Sequence, residues 1–234
     1  MKNCLICKRS QFKIIWNDKI RISKNKFSKK KNKILQCKFC ELAFLKKRVK
    51  FLEDSSVVRN AYNRDNSINE FFKFHTDREL EKLNFIKKYI NLNNKKILES
   101  NCGAGIIIDK LKNKASITSG LDSKFYKKYI ESKGHEFFTS IKEIIKNKKK
   151  FDIIFSLSEI EHKFDPQLFI KNLKKILSKN GLIIFRIPNF FNIYMYLLGK
   201  KFFKYDYRLS HNFYFSEKNL DILFKRNGLK TIKK

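Results

Sequence analysis

The feature that most constrains the fold is a series of short apolar runs that alternate with helix-like segments from about Phe71 onward. The runs predicted to be strands are Lys96–Glu99, Ser116–Leu121, His135–Phe138, Phe151–Ser156 and Gly181–Ile187. Nearly continuous apolar runs are typical of parallel strands that helices cover on both faces. Strands that alternate with helices along a chain are typical of α/β proteins. The sequence therefore predicts an α/β fold with a doubly wound, mostly parallel sheet in residues 71–234.

Capping signals predict where several helices begin. A Ser or Thr followed three residues later by Glu satisfies amide groups at a helix start, and Pro fits the first turn. The predicted helix starts are Thr76, Ser140, Asp165 and Ser216. The first of these helices is expected to reach Ile90, and the last is expected to end at Asn227 before Gly228. An aromatic-rich insertion, residues 189–215, precedes the last helix.

Four of the five cysteines form two C-x2-C pairs near the N-terminus, Cys4 with Cys7 and Cys37 with Cys40. Each pair can direct two thiolates at one ion, and two such pairs complete a tetrahedral zinc site. We interpret residues 1–45 as a small zinc-ribbon-like module, called here the cysteine module, and residues 46–70 as a connector. All four ligand positions would be protein thiolates, so the zinc is expected to be structural. The alternative is four incidental buried cysteines.

Net charge is the most conspicuous number in the composition. Lys and Arg total 54 against 22 Asp and Glu, which gives +32, and the sequence contains 45 Lys but only 9 Arg. A nucleic-acid site should recruit Arg for bidentate contacts, whereas residues with A/T-rich codons dominate this chain. The composition thus favours a solvated Lys-rich surface and leaves an RNA partner open.

The distribution of apolar residues indicates the cellular compartment of the protein. No run approaches the roughly 18 apolar residues that span a bilayer. The first ten residues lack the apolar region of a signal peptide, so we expect a cytoplasmic protein. In a reducing compartment the cysteines are better interpreted as metal ligands than as disulfides.

A glycine-containing loop follows the first predicted strand and precedes a helix. It contains Gly103 and Gly105, and Asp122 ends the next predicted strand. Glycines let a backbone approach a ligand, and a carboxylate at that second place can accept hydrogen bonds from both ribose hydroxyls. The pattern predicts a nucleoside-containing cofactor. The alternative is an ordinary turn and a surface Asp.

The ordered motifs of the chain resemble class I S-adenosylmethionine-dependent methyltransferases over roughly residues 71–230. They are Ile97–Gly105, Gly120–Asp122, Phe151–His162, Gly181–Asn189 and His211–Ser216. The resemblance implies a Rossmann-like methyltransferase sheet and S-adenosylmethionine as cofactor. Together with the cysteine module, the architecture is similar to bacterial sugar C-methyltransferases, which carry an N-terminal Cys4 domain. The domain is expected to be C-terminally short, because the family usually adds a final antiparallel hairpin beyond this point.

The same resemblance implies residues that bind the cofactor. Glu99, Gly103 and Gly105 would cradle its methionine part, and Asp122 would hold its ribose. Ser140 stands where the family has a polar contact to adenine, and Ser156 and Leu157 would line the cofactor. Asn101 replaces the first loop glycine of the family, and Asn is the next-best residue at positive φ. Cys102, the fifth cysteine, is interpreted as a small packing residue.

Candidate catalytic groups follow the fourth predicted strand, where open α/β sheets place their sites. His162 or His211 is the predicted general base, and Glu161 is predicted to orient it or to bind the acceptor. The alternative for each is a structural hydrogen bond. Ser158 stands where ubiquinone-pathway O-methyltransferases have a carboxylate that helps to bind a divalent metal, so a second metal site is not predicted.

The sequence thus predicts methyl transfer from S-adenosylmethionine to a small-molecule acceptor, a sugar or nucleotide-linked sugar. One alternative is an RNA methyltransferase with a zinc module. Base-amine methylating enzymes usually have Asn/Asp-Pro-Pro-aromatic after the fourth strand, whereas this chain has Ser158–Glu161 there. A second alternative is a non-catalytic zinc- and cofactor-binding partner protein.

Overall fold

A computed structural model of the chain describes residues 2–23, 26–50, 67–190 and 193–233. They fall into two compact units. The first unit contains Met1–Glu53, Ile160–Lys171 and Ile187–Lys234, and the second contains Asp54–Glu159 and Asn172–Arg186. Residues 51–66, most of the predicted connector, lie outside the described residues. The domain boundaries given above stay a prediction.

The strands are short and occur in both units. They are β1 (Phe12–Asp18), β2 (Arg21–Ser23), β3 (Lys26–Phe27), β4 (Asn32–Cys37), β5 (Ala43–Leu45), β6 (Lys96–Ser100), β7 (Ile117–Leu121), β8 (Glu136–Phe138), β9 (Phe151–Leu157), β10 (Leu177–Arg186) and β11 (Phe213–Tyr214). The α-helices are α1 (Ile68–Lys87), α2 (Ile106–Leu111), α3 (Lys127–Ser132), α4 (Ile141–Lys146), α5 (Pro166–Ile176), α6 (Ile193–Asp206) and α7 (Glu217–Arg226). Short 3-10 turns cover Lys124–Tyr126 and Ile160–His162. No described helix has both the length and the apolar character that a membrane span requires.

The second unit is built on a five-stranded sheet in the order β10-β9-β6-β7-β8. Every neighbouring pair in this sheet is parallel, which confirms the predicted α/β, doubly wound arrangement. The chain proceeds from β6 to one side through β7 and β8, and to the other side through β9 and β10. The strand order therefore reverses between β6 and β9, and such a switch point is where open α/β sheets bind ligands.

Two apolar clusters pack in this unit and explain the apolar strand sequences. One cluster combines Leu83 and Ile86 of α1 with residues of β6, α2 and β9. The other gathers Cys102, Ala104, Ile108, Tyr126, Ile130 and Phe137. Burial of each large side chain contributes about 1.5–3 kcal/mol relative to exposure. Parallel strands are stable here because both of their faces find such partners.

The start of α1 differs from the prediction. Ser67 caps this helix, because its side chain accepts a hydrogen bond from the amide of Glu70. Thr76 lies inside the helix, where its hydroxyl donates to the carbonyl of Phe72 over 2.7 Å. The prediction that Thr76 opens the helix was wrong, since a hydroxyl can bond back to the preceding turn instead of capping.

The other predicted helix starts are confirmed. Ser140 accepts from the amide of Glu143 over 3.2 Å. Asp165 accepts from the amides of Gln167 and Leu168, each over 3.0 Å. Ser216 forms a capping box at the start of α7. These side chains satisfy amides that have no partner within their own helix.

The first unit contains a four-stranded sheet in the order β1-β4-β5-β11. Its first three strands belong to the cysteine module, whereas β11 comes from near the other end of the chain. Phe213 pairs with Phe44, and Tyr214 pairs with Ala43, both antiparallel. A core that includes Ile34, Leu45 and Tyr214 is buried in this unit. The cysteine module therefore shares one sheet with the segment that follows His211.

The aromatic-rich insertion of the first unit contains α6. This helix is broken at Gly199, whose φ of 50° and ψ of −128° are not helical. A glycine can adopt this backbone conformation because it has no Cβ. Phe203 stacks on Tyr207 at a ring-centroid distance of 5.0 Å, and Phe190 stacks on Tyr207 at 6.2 Å. The insertion is thus anchored by ring stacking around the buried Tyr207.

Candidate active site and cysteine centre

The glycine loop joins β6 to α2 at the carboxyl edge of the parallel sheet. Asn101, Gly103 and Gly105 have φ values of 62°, 54° and 79°, so all three are in the left-handed region. Gly120 and Ser100 lie in adjacent strands directly before the site. Asn101 adopts this conformation because Asn tolerates positive φ better than most other residues that carry a side chain.

Asp122 comes directly after β7 and turns its carboxylate toward this loop. Oδ2 of Asp122 accepts a hydrogen bond from the amide of Gly103 over 2.8 Å, and Oδ1 accepts from the amide of Ser123 over 2.6 Å. The parallel register aligns Ser100 with Leu121, so the residues that follow them meet at one sheet edge. Asp122 and the glycine loop are therefore brought together at this sheet edge.

Two buried polar groups end β6. The carboxyl group of Glu99 and the hydroxyl of Ser100 are almost fully buried. Among the described residues, Oε2 of Glu99 and Oγ of Ser100 have no hydrogen-bond partner. Burial raises the pKa of Glu99 well above its ordinary value, and the negative charge of Glu79 raises it further. A donor that reached Glu99 would relieve a large desolvation cost, which makes this carboxyl group a candidate ligand contact.

Residues of α1 that no sequence motif indicates also lie in this region. The ring of Phe71 lies directly on Gly103, since a Cβ on that glycine would be 2.2 Å from a ring carbon. Lys82 forms a 2.8 Å ion pair with Glu79, and both side chains are largely buried. Burial lowers the pKa of Lys82. The predicted helix start at Thr76 left Phe71 outside the helix, and one Lys among 45 carries no signal before packing isolates it.

The remaining predicted cofactor residues have different surroundings. The hydroxyl of Ser156 donates to Oε2 of Glu159 over 3.0 Å, and both side chains are buried. Leu157 packs its side chain into the core beside α1. Ser140 follows β8 and uses its hydroxyl to cap α4. Cys102 is buried against Gly120, which agrees with its interpretation as a packing residue.

Glu161, His162 and His211 form a compact cluster in the first unit. One ligand atom from each residue lies within 4.8 Å of the others. Nε2 of His162 is 4.0 Å from Oε1 of Glu161, and the two imidazole rings are 4.9 Å apart at an angle of 76°. A carboxylate and two imidazoles at this spacing can share a proton or hold a cation. The three candidate catalytic residues are thus neighbours.

The two histidines of this cluster differ in environment. Nδ1 of His162 lies 2.5 Å from the carbonyl oxygen of Ser210, which can only accept, so Nδ1 carries the proton. Nε2 of His162 is then the basic atom of the neutral ring. Burial lowers the pKa of His211 well below its ordinary value, and the charges of His162, Arg208 and Arg21 lower it further. His211 is therefore neutral at physiological pH.

The four cysteines of the module converge on one point. The sulfur atoms of Cys4 and Cys40 are 3.6 Å apart, and those of Cys7 and Cys37 are 3.5 Å apart. All four sulfur atoms lie within 4.8 Å of one another. A hydrogen bond from Cys40 lowers the pKa of Cys4 to about 5. Four thiols at this spacing provide the donor set of a tetrahedral zinc ion.

A comparison with known protein families identifies the larger part of the chain. Residues 74–234 match a methyltransferase domain family. The chain belongs to this family. The matched methyltransferase domain contains the parallel sheet, the glycine loop and the strand-ending Asp described above.

Curated relatives of the methyltransferase domain are similar over part of their length. The ubiquinone biosynthesis O-methyltransferase of Pelagibacter ubique is 29% identical over 151 residues, which cover 61% of this chain and 57% of the relative. The tRNA U34 carboxymethyltransferase of Nautilia profundicola is 32% identical over 126 residues, which cover 50% of this chain and 42% of the relative. The chain thus spans about half the length of these relatives.

A solved structure supports the fold. Magnesium protoporphyrin IX methyltransferase from Synechocystis PCC 6803, with bound SAH, is similar at a TM-score of 0.52 and 16% identity. The similarity covers 75% of this chain and 89% of that chain. At this identity the likeness extends to the fold of the methyltransferase domain.

The described residues fit S-adenosylmethionine. The cofactor carries an ammonium group and two ribose hydroxyls, all of which donate hydrogen bonds. Oε2 of Glu99 is a buried acceptor that lacks a described partner, and Asp122 presents a carboxylate at the loop. The left-handed residues of the loop allow a close backbone approach. The donor groups of the cofactor therefore match acceptors at this sheet edge.

Proposed function

We propose that this protein transfers a methyl group from S-adenosylmethionine to a small-molecule acceptor. The observation that carries the proposal is the hydrogen bond from the amide of Gly103 to Asp122, which joins the loop after β6 to the end of β7 at the carboxyl edge of the sheet. Asn101 retains the left-handed backbone there, so its presence gives no reason to prefer the non-catalytic hypothesis.

In this proposal the second unit binds the cofactor. Glu99 accepts from its amino group, Asp122 accepts from its ribose, and the backbone at Gly103 and Gly105 cradles its methionine part. Ser140, Ser156 and Leu157 remain proposed neighbours of the cofactor. Asn101 contributes the left-handed backbone at the start of the loop. Bound S-adenosylmethionine supplies an electrophilic methyl group on a sulfonium. The protein's own task is then mainly to align the acceptor with it.

The catalytic assignment rests on the cluster in the first unit. His162 has a basic Nε2 that can remove a proton from an acceptor hydroxyl or carbon acid. His211 is neutral because it is buried and can also accept a proton, although its lowered pKa makes it a weaker base than a free imidazole. Glu161 would stabilise the imidazolium that forms or bind the acceptor. General-base catalysis typically contributes 10²–10⁴-fold. We therefore expect His162→Ala or His211→Ala to reduce turnover on that scale.

For the acceptor we propose a sugar or nucleotide-linked sugar. The support is the cysteine module next to a methyltransferase domain, an architecture similar to that of sugar C-methyltransferases. The test is a methyl-transfer screen with labelled S-adenosylmethionine against nucleotide sugars, quinol precursors and RNA, with His162→Ala as the control. Label transfer to the quinol precursors alone would contradict the sugar proposal but leave methyl transfer intact.

RNA is the second candidate acceptor. The similarity to a tRNA-modifying enzyme and the charge of +32 favour it. Counterion release alone gives binding that weakens steeply with salt and has no sequence preference. Titrations of unrelated RNAs at two salt concentrations separate the hypotheses. Sequence-selective binding that survives physiological salt would support an RNA enzyme.

We also propose one structural zinc ion bound by Cys4, Cys7, Cys37 and Cys40. The support is the convergence of the four sulfur atoms. Zinc thiolates in small modules contribute folding free energy directly. The same proposal places the protein in a reducing, cytoplasmic environment, where cysteines remain thiols that can bind metal.

A further inference from the structure

We infer that Asn212 is a positioning residue, which fixes the loop of Glu161 and His162 to the segment that follows the cysteine module. The inference rests on the proposed catalytic role of these histidines. Asn212 directly follows His211 and has no exposed surface. It lies where β11 joins the sheet of the cysteine module.

The side-chain amide of Asn212 bridges two distant segments. Its Nδ2 donates to the carbonyl of His162 and to the carbonyl of Val49, each over 2.9 Å. Its Oδ1 accepts from the amide of Val49 over 2.7 Å. The side-chain amide thus pairs with both the N–H and the C=O of Val49, in the way that a neighbouring β-strand would. The second N–H of Nδ2 binds the carbonyl of His162.

The main chain of Asn212 adds two further bonds. Its amide donates to the carbonyl of Glu161 over 2.9 Å, and its carbonyl accepts from the amide of Leu45 over 3.1 Å. Leu45 is the last residue of β5 in the cysteine module. Five hydrogen bonds on one buried residue therefore connect β5, Val49 and both members of the Glu161–His162 pair.

Neighbouring contacts make this junction rigid on both sides. Arg48 donates to the carbonyl of Phe164 and lies over its ring, with 4.3 Å between the guanidinium carbon and the ring centroid. The imidazole of His162 is held by the carbonyl of Ser210. Asn212 holds the backbone of His162, and Ser210 holds its ring. The tautomer of His162 therefore depends on the position of the Glu161–His162 loop relative to residues 210–212.

A merely structural Asn would behave differently. If Asn212 only satisfied the polar groups of Val49, its loss would lower stability and leave the imidazole of His162 unchanged. If it positions the loop, its loss moves the His162 backbone away from Ser210, and the Nδ1–H tautomer is no longer favoured. The state of the His162 ring therefore separates the two roles.

The experiment is ¹⁵N histidine NMR on the zinc-loaded full chain. The chain has only four histidines, so single His→Gln variants assign every ring. We expect wild-type His162 to show the Nδ1–H tautomer, and Asn212→Ala to give mixed tautomers or an exchange-broadened ring at His162. His75 and His135, in the other unit, should keep their wild-type signals. Unchanged His162 and His211 signals in folded Asn212→Ala would overturn the inference.

Asn227→Ala is the matched control. Asn227 is another buried Asn of the first unit, and its Nδ2 donates to the carbonyl of Leu223 over 2.7 Å within α7. The Asn227→Ala substitution should lower the stability of the protein without altering the His162 tautomer. If the control moves the His162 signal as much as Asn212→Ala does, the effect is general destabilisation and the inference is wrong.

Two further measurements keep the test decisive. Asn212→Asp retains Oδ1 for Val49 but loses both Nδ2 donors, and it should show the same His162 change as Asn212→Ala. If neither variant folds, hydrogen exchange of the wild type decides. Val49 lies outside helices and strands, so a protected Val49 amide supports the junction and an unprotected one contradicts it.

Kinetics give an independent readout once the screen has identified an acceptor. Small misplacement of a catalytic group can cost about 10²-fold in rate. We expect Asn212→Asp to lower kcat by 10- to 100-fold, while the KM for S-adenosylmethionine changes less than 2-fold. A rise in that KM with unchanged kcat would contradict a positioning role. The NMR test needs no acceptor, so the inference can fail while methyl transfer stands.

Discussion

Asn101, Gly103 and Gly105 share a left-handed backbone, but the space available for a side chain differs among the three positions. Asn101 carries a side chain at a φ of 62°, so that position has room for one. At Gly103 the Phe71 ring fills the space a Cβ would need. The loop is therefore restricted by backbone strain at all three positions and additionally by contact with α1 at Gly103.

Replacing Gly103 should affect the cofactor site selectively. Gly103→Ala combines a left-handed Ala with displacement of the Phe71 ring, so we expect weaker S-adenosylmethionine binding and a loss of at least about 1 kcal/mol in stability. Gly134→Ala is the matched control, because its φ is 82° but its nearest neighbour is the flexible end of Lys112 at 3.0 Å. Calorimetry and urea unfolding measure both effects. Equal cofactor affinity in both variants would contradict the assignment.

The raised pKa of Glu99 gives a prediction about pH. A carboxyl group whose pKa is higher in the folded state binds protons more tightly there, so its cost to stability grows as pH rises above the unfolded pKa. Glu99→Gln removes this cost. We expect the substitution to stabilise the protein more at pH 7.5 than at pH 5. The measurement is the unfolding free energy of the cofactor-free protein at each pH. The opposite pH trend would mean that Glu99 is stabilised as a carboxylate.

At the level of elements, sequence predicts what local chemistry determines. All five strands of the parallel sheet were found, because strands buried on both faces need apolar side chains. The start of α1 was misplaced, since Ser67 and Thr76 both offer hydroxyls and only tertiary packing selects between them. The two-residue strand β11 could not be predicted, because pairing between distant segments leaves no periodicity in so short a run.

The start of α5 provides a test at this scale. Asp165 caps two amides at the helix start, in the segment that directly follows the Glu161–His162 turn. Asp165→Ala should lower the unfolding free energy by about 1 kcal/mol, whereas Asp165→Asn, which keeps the capping oxygen, should lower it by a few tenths. Urea unfolding at neutral pH measures both. Equal losses would show that the charge of Asp165, and not its cap, matters.

Across the whole molecule, the site residues were predicted unequally. Asp122, Gly103, Glu161, His162 and His211 could be proposed from the sequence because their residue types are rare or their spacing is specific. Phe71, Lys82 and Asn212 were missed, since a common aromatic, one Lys among 45 and an Asn carry no signal until packing isolates them. Their roles depend on burial and on contacts between distant segments.

Loss of the proposed zinc should affect more than the cysteine module, because β11 from the C-terminal segment pairs with β5 of that module. We expect one zinc per chain, and Cys37→Ser should lose both the metal and cooperative folding, since small Cys4 modules depend on their metal. Cys102→Ser is the control, because this cysteine lies outside the cluster. Elemental analysis and thermal unfolding measure the outcome. Full zinc content in Cys37→Ser would contradict the site.

The proposed function depends first on S-adenosylmethionine binding at the glycine loop and Asp122. Isothermal titration calorimetry with S-adenosylmethionine tests it most directly on wild type, Asp122→Ala and a control, Asp152→Ala. Oδ2 of Asp152 accepts a similar hydrogen bond from the backbone amide of Lys96 over 2.9 Å, at the opposite edge of the sheet. We predict one site per chain, a loss of about 1–3 kcal/mol in binding for Asp122→Ala, and no loss for Asp152→Ala. Absent binding to the wild type, or equal affinity of Asp122→Ala and wild type, would contradict the account.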